Sequence, residues 1–137
     1  MGNEFIHFSI RAIAHAQLAK RKGCQVRCIL EHPEDLGRTH RGQPASIWQL
    51  PEVRLAFQEF RYITVAGHQC QFNVDWAKPT RLLSDILSLA EFGYVGWPCF
   101  TIDDRYTGPL PRHCGHDHGP AKARHAESGP ASRSPYD

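Results

Sequence analysis

The apolar residues Ile6, Ile10, Ile13, Ala14 and Leu18 recur at three- and four-residue spacing, the repeat of one face of an α-helix. Asn3 is placed to cap its start and Gly23 to end it. Val26, Cys28, Ile29 and Leu30 then form a short apolar run. A helix that passes through a glycine into such a run is how an α/β unit lays down a strand of a parallel sheet. This N-terminal stretch therefore commits the chain to the α/β class. The other face of the helix holds Arg11, His15, Lys20 and Arg21, read as a solvated face, with a nucleic-acid contact as the alternative.

The rest of the chain adds a second helix and further strands. Residues 37–44, "GRTHRGQP", carry no core side chains and read as loop. Pro51 suits the first turn of a helix whose apolar face is Val53, Ala56, Phe57 and Phe60. "RYITVA" alternates Tyr62, Thr64 and Ala66 against Ile63 and Val65, and the strand stops at Gly67. Residues 78–93, "KPTRLLSDILSLAEFG", admit two readings: Pro79 favours an extended start, while Leu82, Ile86 and Leu89 sit near helical spacing. From Pro98 onward loop-forming residues dominate, and residues 119–137, "GPAKARHAESGPASRSPYD", lack the apolar side chains to pack. The expected architecture is a partial Rossmann-like α/β domain over residues 1–112, with three or four strands in a mixed sheet flanked by two helices. A loop-rich tail, 113–137, follows.

At 137 residues the chain is long enough for one core. Sixteen basic against fourteen acidic side chains leave a net charge of +2, so a nucleic-acid surface has to come from a particular site and not from overall charge. There is no apolar run of about 18 residues and no leader pattern, which predicts an intracellular protein without a membrane span. An incomplete sheet leaves an open edge, which invites another copy or an upstream domain.

Two places carry chemistry. The first strand delivers Glu31, His32 and Pro33 at its tip, and ligands of open α/β sheets bind outside such strand ends. A carboxyl group held there can bond the edge of a planar heterocycle or donate a proton; alternatively it caps a turn whose Glu34 and Asp35 are solvated. The second place is "HCGHDH", with His113, Cys114, His116 and His118 close together and Asp117 and His125 nearby. Zinc takes four tetrahedral ligands, usually from two separated arms. Adjacent His113 and Cys114 cannot readily serve one ion, so the candidate ligands of the first arm are Cys114 with His116 or His118. Cys70 or Cys99 would be the distant one; the alternative is an exposed loop that takes up metal only incidentally. The five cysteines are odd in number and dispersed, which predicts reduced thiols, and Cys24 and Cys28 on an extended strand would merely share a face.

Glu31-x-Pro33 after a strand, then "SIWQLPEV", "VAGHQCQFNVDWAKPTRLL" and "PLPRHCGHDHGP", resembles the C-terminal half of the phage-type cytosine-5 DNA methyltransferases and their relatives in mobile-element polyproteins. The resemblance spans residues 25–119 and rests most on Gln69-Cys70-Gln71-Phe72 together with Lys78-Pro79-Thr80. It implies that Glu31 engages the ring edge of a flipped-out cytosine, a base that has to leave the duplex to be reached. It also implies that Gln69 and Lys78 border the same crevice, Lys78 meeting a phosphate. Gln69 and Gln71 are either substrate-contacting or ordinary loop amides. His32 replaces the family's asparagine, and Asn73 stands where the family tends to have glycine. The glycine-rich turn for S-adenosylmethionine and the Pro-Cys nucleophile normally precede the glutamate, and neither is read before Glu31. Pro98-Cys99 follows it, which makes Cys99 an apolar loop cysteine in preference to a nucleophile. Two functions stay open: a catalytically incomplete methyltransferase-like fragment that contacts DNA, with S-adenosylmethionine entering only through an upstream half, or a small zinc-stabilised nucleic-acid- or protein-binding module.

Overall fold

The computed structural model describes residues 2–38, 42–43 and 45–118. Helix α1 runs Gly2–Arg21. Ile13 is buried and Ile6 and Ile10 pack on the core beside it, whereas Leu18 of the expected apolar stripe faces solvent. Gly23, at φ +88°, closes the helix: its amide donates to the Lys20 carbonyl and that of Cys24 to the Ala19 carbonyl. This paired closure requires the left-handed backbone that glycine adopts without a Cβ clash.

Strand β1 (Ile29–Pro33) leads through a loop to a short 3₁₀ turn, Ile47–Gln49, and then to α2 (Pro51–Phe60), which has proline in its first turn as expected. Ser46 caps the 3₁₀ turn by accepting from the Trp48 amide. The turn drops Trp48 fully into the core, where its indole N–H donates to the Pro33 carbonyl at 2.8 Å. Strands β2 (Ile63–His68), β3 (Pro79–Ser84) and β4 (Tyr94–Val95) complete a four-stranded sheet, order β1-β3-β2-β4. Ile13, Ile47, Trp48, Val53, Tyr62 and Leu83 form the buried core. Burying a side chain such as Leu83 contributes about 1.5–3 kcal/mol.

Every neighbouring pair in this sheet is antiparallel, so the sheet is neither mixed nor built on a parallel ladder. The physical reason lies in β3. Strands β1 and β2 both run against it and hence run alongside each other in one direction, joined through α2, but β3 occupies the place between them. The ambiguous residues 78–93 resolve accordingly. Pairing on both sides fixes Pro79–Ser84 as an extended strand, and only Leu87–Phe92 coils, as 3₁₀ turns. After Pro98 the chain forms a short ribbon, β5 (Cys99–Phe100) with β6 (Tyr106–Gly108), where only loop was expected.

Glu34 and Asp35, expected to be solvated, are buried. Arg81 of β3, fully enclosed, reaches Glu34 through two bonds, Nη2 to Oε2 at 2.5 Å and Nε to Oε1 at 3.0 Å. Its Nη1 donates to Thr64 Oγ1 at 2.8 Å and to the Gly96 carbonyl. Tyr106 donates its hydroxyl hydrogen to Glu34 and accepts from the Leu110 amide, which fastens the β6 exit to the sheet. Asp35 accepts from the Gly37 amide and from Gln49. Among the described residues no helix is long and apolar enough to cross a membrane. Residues 119–137, with His125 and the expected tail, lie outside the described residues, as do 39–41 and 44 of the expected loop.

Candidate metal centre

Strand β2 ends at His68 and turns directly into a 3₁₀ turn, Gln69–Phe72. The Gln69 amide donates to the Lys78 carbonyl at 3.0 Å, so the turn is tied to the start of β3. Asn73 ends the turn at φ +61°. After glycine, asparagine is among the residues that adopt this left-handed conformation most readily. Cys70 is thereby held in a buried position next to the end of the sheet.

The second arm comes from the far end of the described chain. Leu110, 3% exposed and bonded through its amide to Tyr106, anchors the segment that carries Cys114, His116 and His118. Gly115 sits between Cys114 and His116 at φ +81°, and the tight turn it permits brings the His116 amide to 3.5 Å from Cys114 Sγ. Cys114 Sγ lies 3.0 Å from His118 Nε2, and Cys70 Sγ lies 3.2 Å from His116 Nδ1. The four ligand atoms of Cys70, Cys114, His116 and His118 all fall within 4.8 Å of one another. Around a tetrahedral zinc with bonds of about 2.0–2.3 Å, ligand atoms stand about 3.3–3.8 Å apart, so small adjustments would close this set around an ion.

Cys114, His116 and His118 therefore come together as the sequence suggests, and the distant ligand is Cys70. Cys99 is exposed, with its thiol directed to the Trp97 carbonyl, and His113 stands outside the cluster. Two thiols and two imidazoles are a donor set suited to zinc, and four protein ligands leave no open coordination position. Burial pushes the Cys70 thiol up to about 11, helped by the hydrogen bond and charge of Cys114. A bound cation reverses that preference by stabilising the thiolates. His68, which the sequence reading passed over, is buried beside the cluster, and its imidazole is held below the usual value by burial and then by the neighbouring His116, His118 and His113. The His68-x-Cys70 spacing was its one visible signal.

Glu31 stands in the middle of β1, paired with Leu82, and not at the strand's tip as expected; its side chain meets Lys78 as an ion pair at 3.6 Å, both about half exposed. Beside them the His32 ring packs edge-on to Trp48, 6.1 Å between centroids. Burial lowers its pKa, against the opposing pull of the Pro33 carbonyl and the Glu31 charge. Gln71 faces solvent and Gln69 is half-buried. Among the described residues no side-chain hydrogen bond joins either glutamine to the Glu31–Lys78 pair, so only Lys78 of the three expected contacts is brought to Glu31 by its side chain. The metal cluster and this pair share the β2–β3 connection, one through Cys70 and the other through Lys78. No protein-family model matches the chain, nor does any curated protein or solved structure.

Proposed function

We propose that the protein is a zinc-stabilised binding module, with zinc held by Cys70, Cys114, His116 and His118 in a structural role. The observation that carries this reading is the convergence of two chain-distant arms on one Cys₂His₂ set. An incidental metal-binding loop would not enlist a buried cysteine from the turn that follows an interior strand of the sheet. The closed ligand set favours a structural ion over a catalytic one. Bound there, the ion would pin the 113–118 segment onto the 69–72 turn and so fix the backbone beside Lys78. Elemental analysis of protein prepared without a histidine tag tests the reading. It predicts about one zinc per chain, lost on Cys70→Ser and retained on Cys99→Ser. Metal-free native protein, or a Cys70→Ser variant that keeps its zinc, would refute it.

The Glu31–Lys78 pair favours a second reading, a methyltransferase-like fragment that contacts DNA without catalysing transfer alone. A carboxylate on β1 and an ammonium just before the adjacent strand β3 offer one group for a base edge and one for a phosphate. Binding to duplex DNA carrying an unpaired cytosine, followed at low salt, should weaken on Lys78→Ala. Equal binding by the two proteins would remove the support for this reading.

A further inference from the structure

We infer that Cys70 and Cys114 are an oxidisable pair, which hydrogen peroxide joins as a disulfide and so expels the zinc. This rests on the metal reading above. Of the five cysteines, these two alone share a cluster among the described residues, with their sulfurs no more than 4.8 Å apart. A disulfide needs about 2.05 Å between sulfurs, so the gap to be closed is under about 3 Å. The two partners are unequal in a way that suits such a closure. Cys70 is buried in a turn tied to β3, whereas Cys114 is half-buried on a segment whose Gly115, His116 and Asp117 are exposed. Access by solvent makes Cys114 the sulfur oxidised first, and Cys70 the resolving one.

The steps balance as follows. The Cys114 thiolate attacks one peroxide oxygen, the O–O bond breaks, and the departing hydroxide takes a proton and leaves as water. The Cys114 sulfenic acid that results is then attacked at sulfur by the Cys70 thiolate. The S–S bond forms, the S–O bond breaks, and the second hydroxide leaves as water after taking another proton. Two electrons pass from the two sulfurs to one peroxide, and both anionic ligands are consumed. His116, exposed, and His118, half-buried, cannot as the two remaining ligands retain the ion against water and chelators. Oxidation thus exchanges the ion for a covalent link between the 113–118 segment and the 69–72 turn, and frees His116 and His118 from the cluster.

The test uses the full chain loaded with zinc and treated with hydrogen peroxide beside a colorimetric zinc chelator. Metal content is read first. The expected result is about one zinc released per disulfide formed, a mass loss of about 2 Da, and a proteolytic fragment linking Cys70 to Cys114. A thiol reductant with added zinc should restore the starting state. The triple variant Cys24→Ser/Cys28→Ser/Cys99→Ser, which leaves all four ligands in place, should release zinc with the same stoichiometry. If the untreated protein holds no zinc, the metal reading fails and the release falls with it. If zinc is present but survives peroxide, leaves through sulfinic acid without a link, or leaves through a link involving Cys24, Cys28 or Cys99, the metal reading stands and the oxidisable pair is overturned.

Discussion

Arg81 and Cys70 flank the same β2–β3 connection and both are withdrawn from water, yet their surroundings satisfy them differently. The guanidinium of Arg81 meets a carboxylate, a hydroxyl and a backbone carbonyl, so its charge and its donors are answered within the chain. The thiol of Cys70 meets a second thiol and an imidazole, soft donors whose lone pairs a metal ion could take. The first cluster is closed by charges within the chain, whereas the second is arranged so that a metal could close it.

The sharpest way to test that contrast is to break the closed cluster. Arg81→Met leaves Glu34 enclosed without its partner and should cost about 3–5 kcal/mol in urea unfolding. Adding Glu34→Leu should recover much of that loss, because an apolar pair needs no compensating charge. A double variant as unstable as the single one would show that the cluster's role is in packing. The open cluster should answer to metal instead. Zinc at about 100 times its dissociation constant should add about 2.7 kcal/mol over chelator-treated protein. The Cys70→Ser variant should show no such increment.

Smaller effects follow from pH, measured on chelator-treated protein so that pH-dependent loss of metal does not contribute. Burial favours neutral His32 in the fold, so its stabilising contribution is complete above the unfolded value of about 6.5 and is lost as pH falls below it. His32→Gln should flatten that part of the stability curve. Asp85 is pushed up by burial, but the Lys20 hydrogen bond, the Cys28 amide and the Lys20 and Arg27 charges outweigh this and lower it. Its contribution is present above about pH 3.9 and disappears as pH falls through the folded value. Asp85→Asn should remove this lower loss and leave the upper one. The least effect belongs to the Glu31–Lys78 pair: half-exposed ion pairs contribute under about 1 kcal/mol, so Lys78→Met should leave the unfolding midpoint almost unchanged. A large drop would mean that the pair is structural.

Helix α1, helix α2 and β2 were legible because each has its own period, bounded by Gly23, Pro51 or, within one residue, Gly67, whereas the apolar run from Val26 pairs as a strand only from Ile29 and continues through Pro33. The pairing was not, since the insertion of β3 between β1 and β2 is a choice among strands that no local pattern records. Burial of Glu34 was hidden for the same reason, because its partner Arg81 lies on that inserted strand. Cys114, His116 and His118 could be read from their crowding. Selecting Cys70 over Cys99 required the fold, because 46 positions separate Cys70 from His116 and only the course of β2 and the Leu110 anchor brings them together.

X-ray absorption at the zinc edge, on untagged protein as purified, bears most directly on the central claim. The account predicts a first shell of two sulfurs at about 2.3 Å and two imidazole nitrogens at about 2.0–2.1 Å. The shell should be lost together with bound zinc on Cys70→Ser. A shell dominated by oxygen, a single sulfur, or a wild-type spectrum that survives the substitution would contradict it.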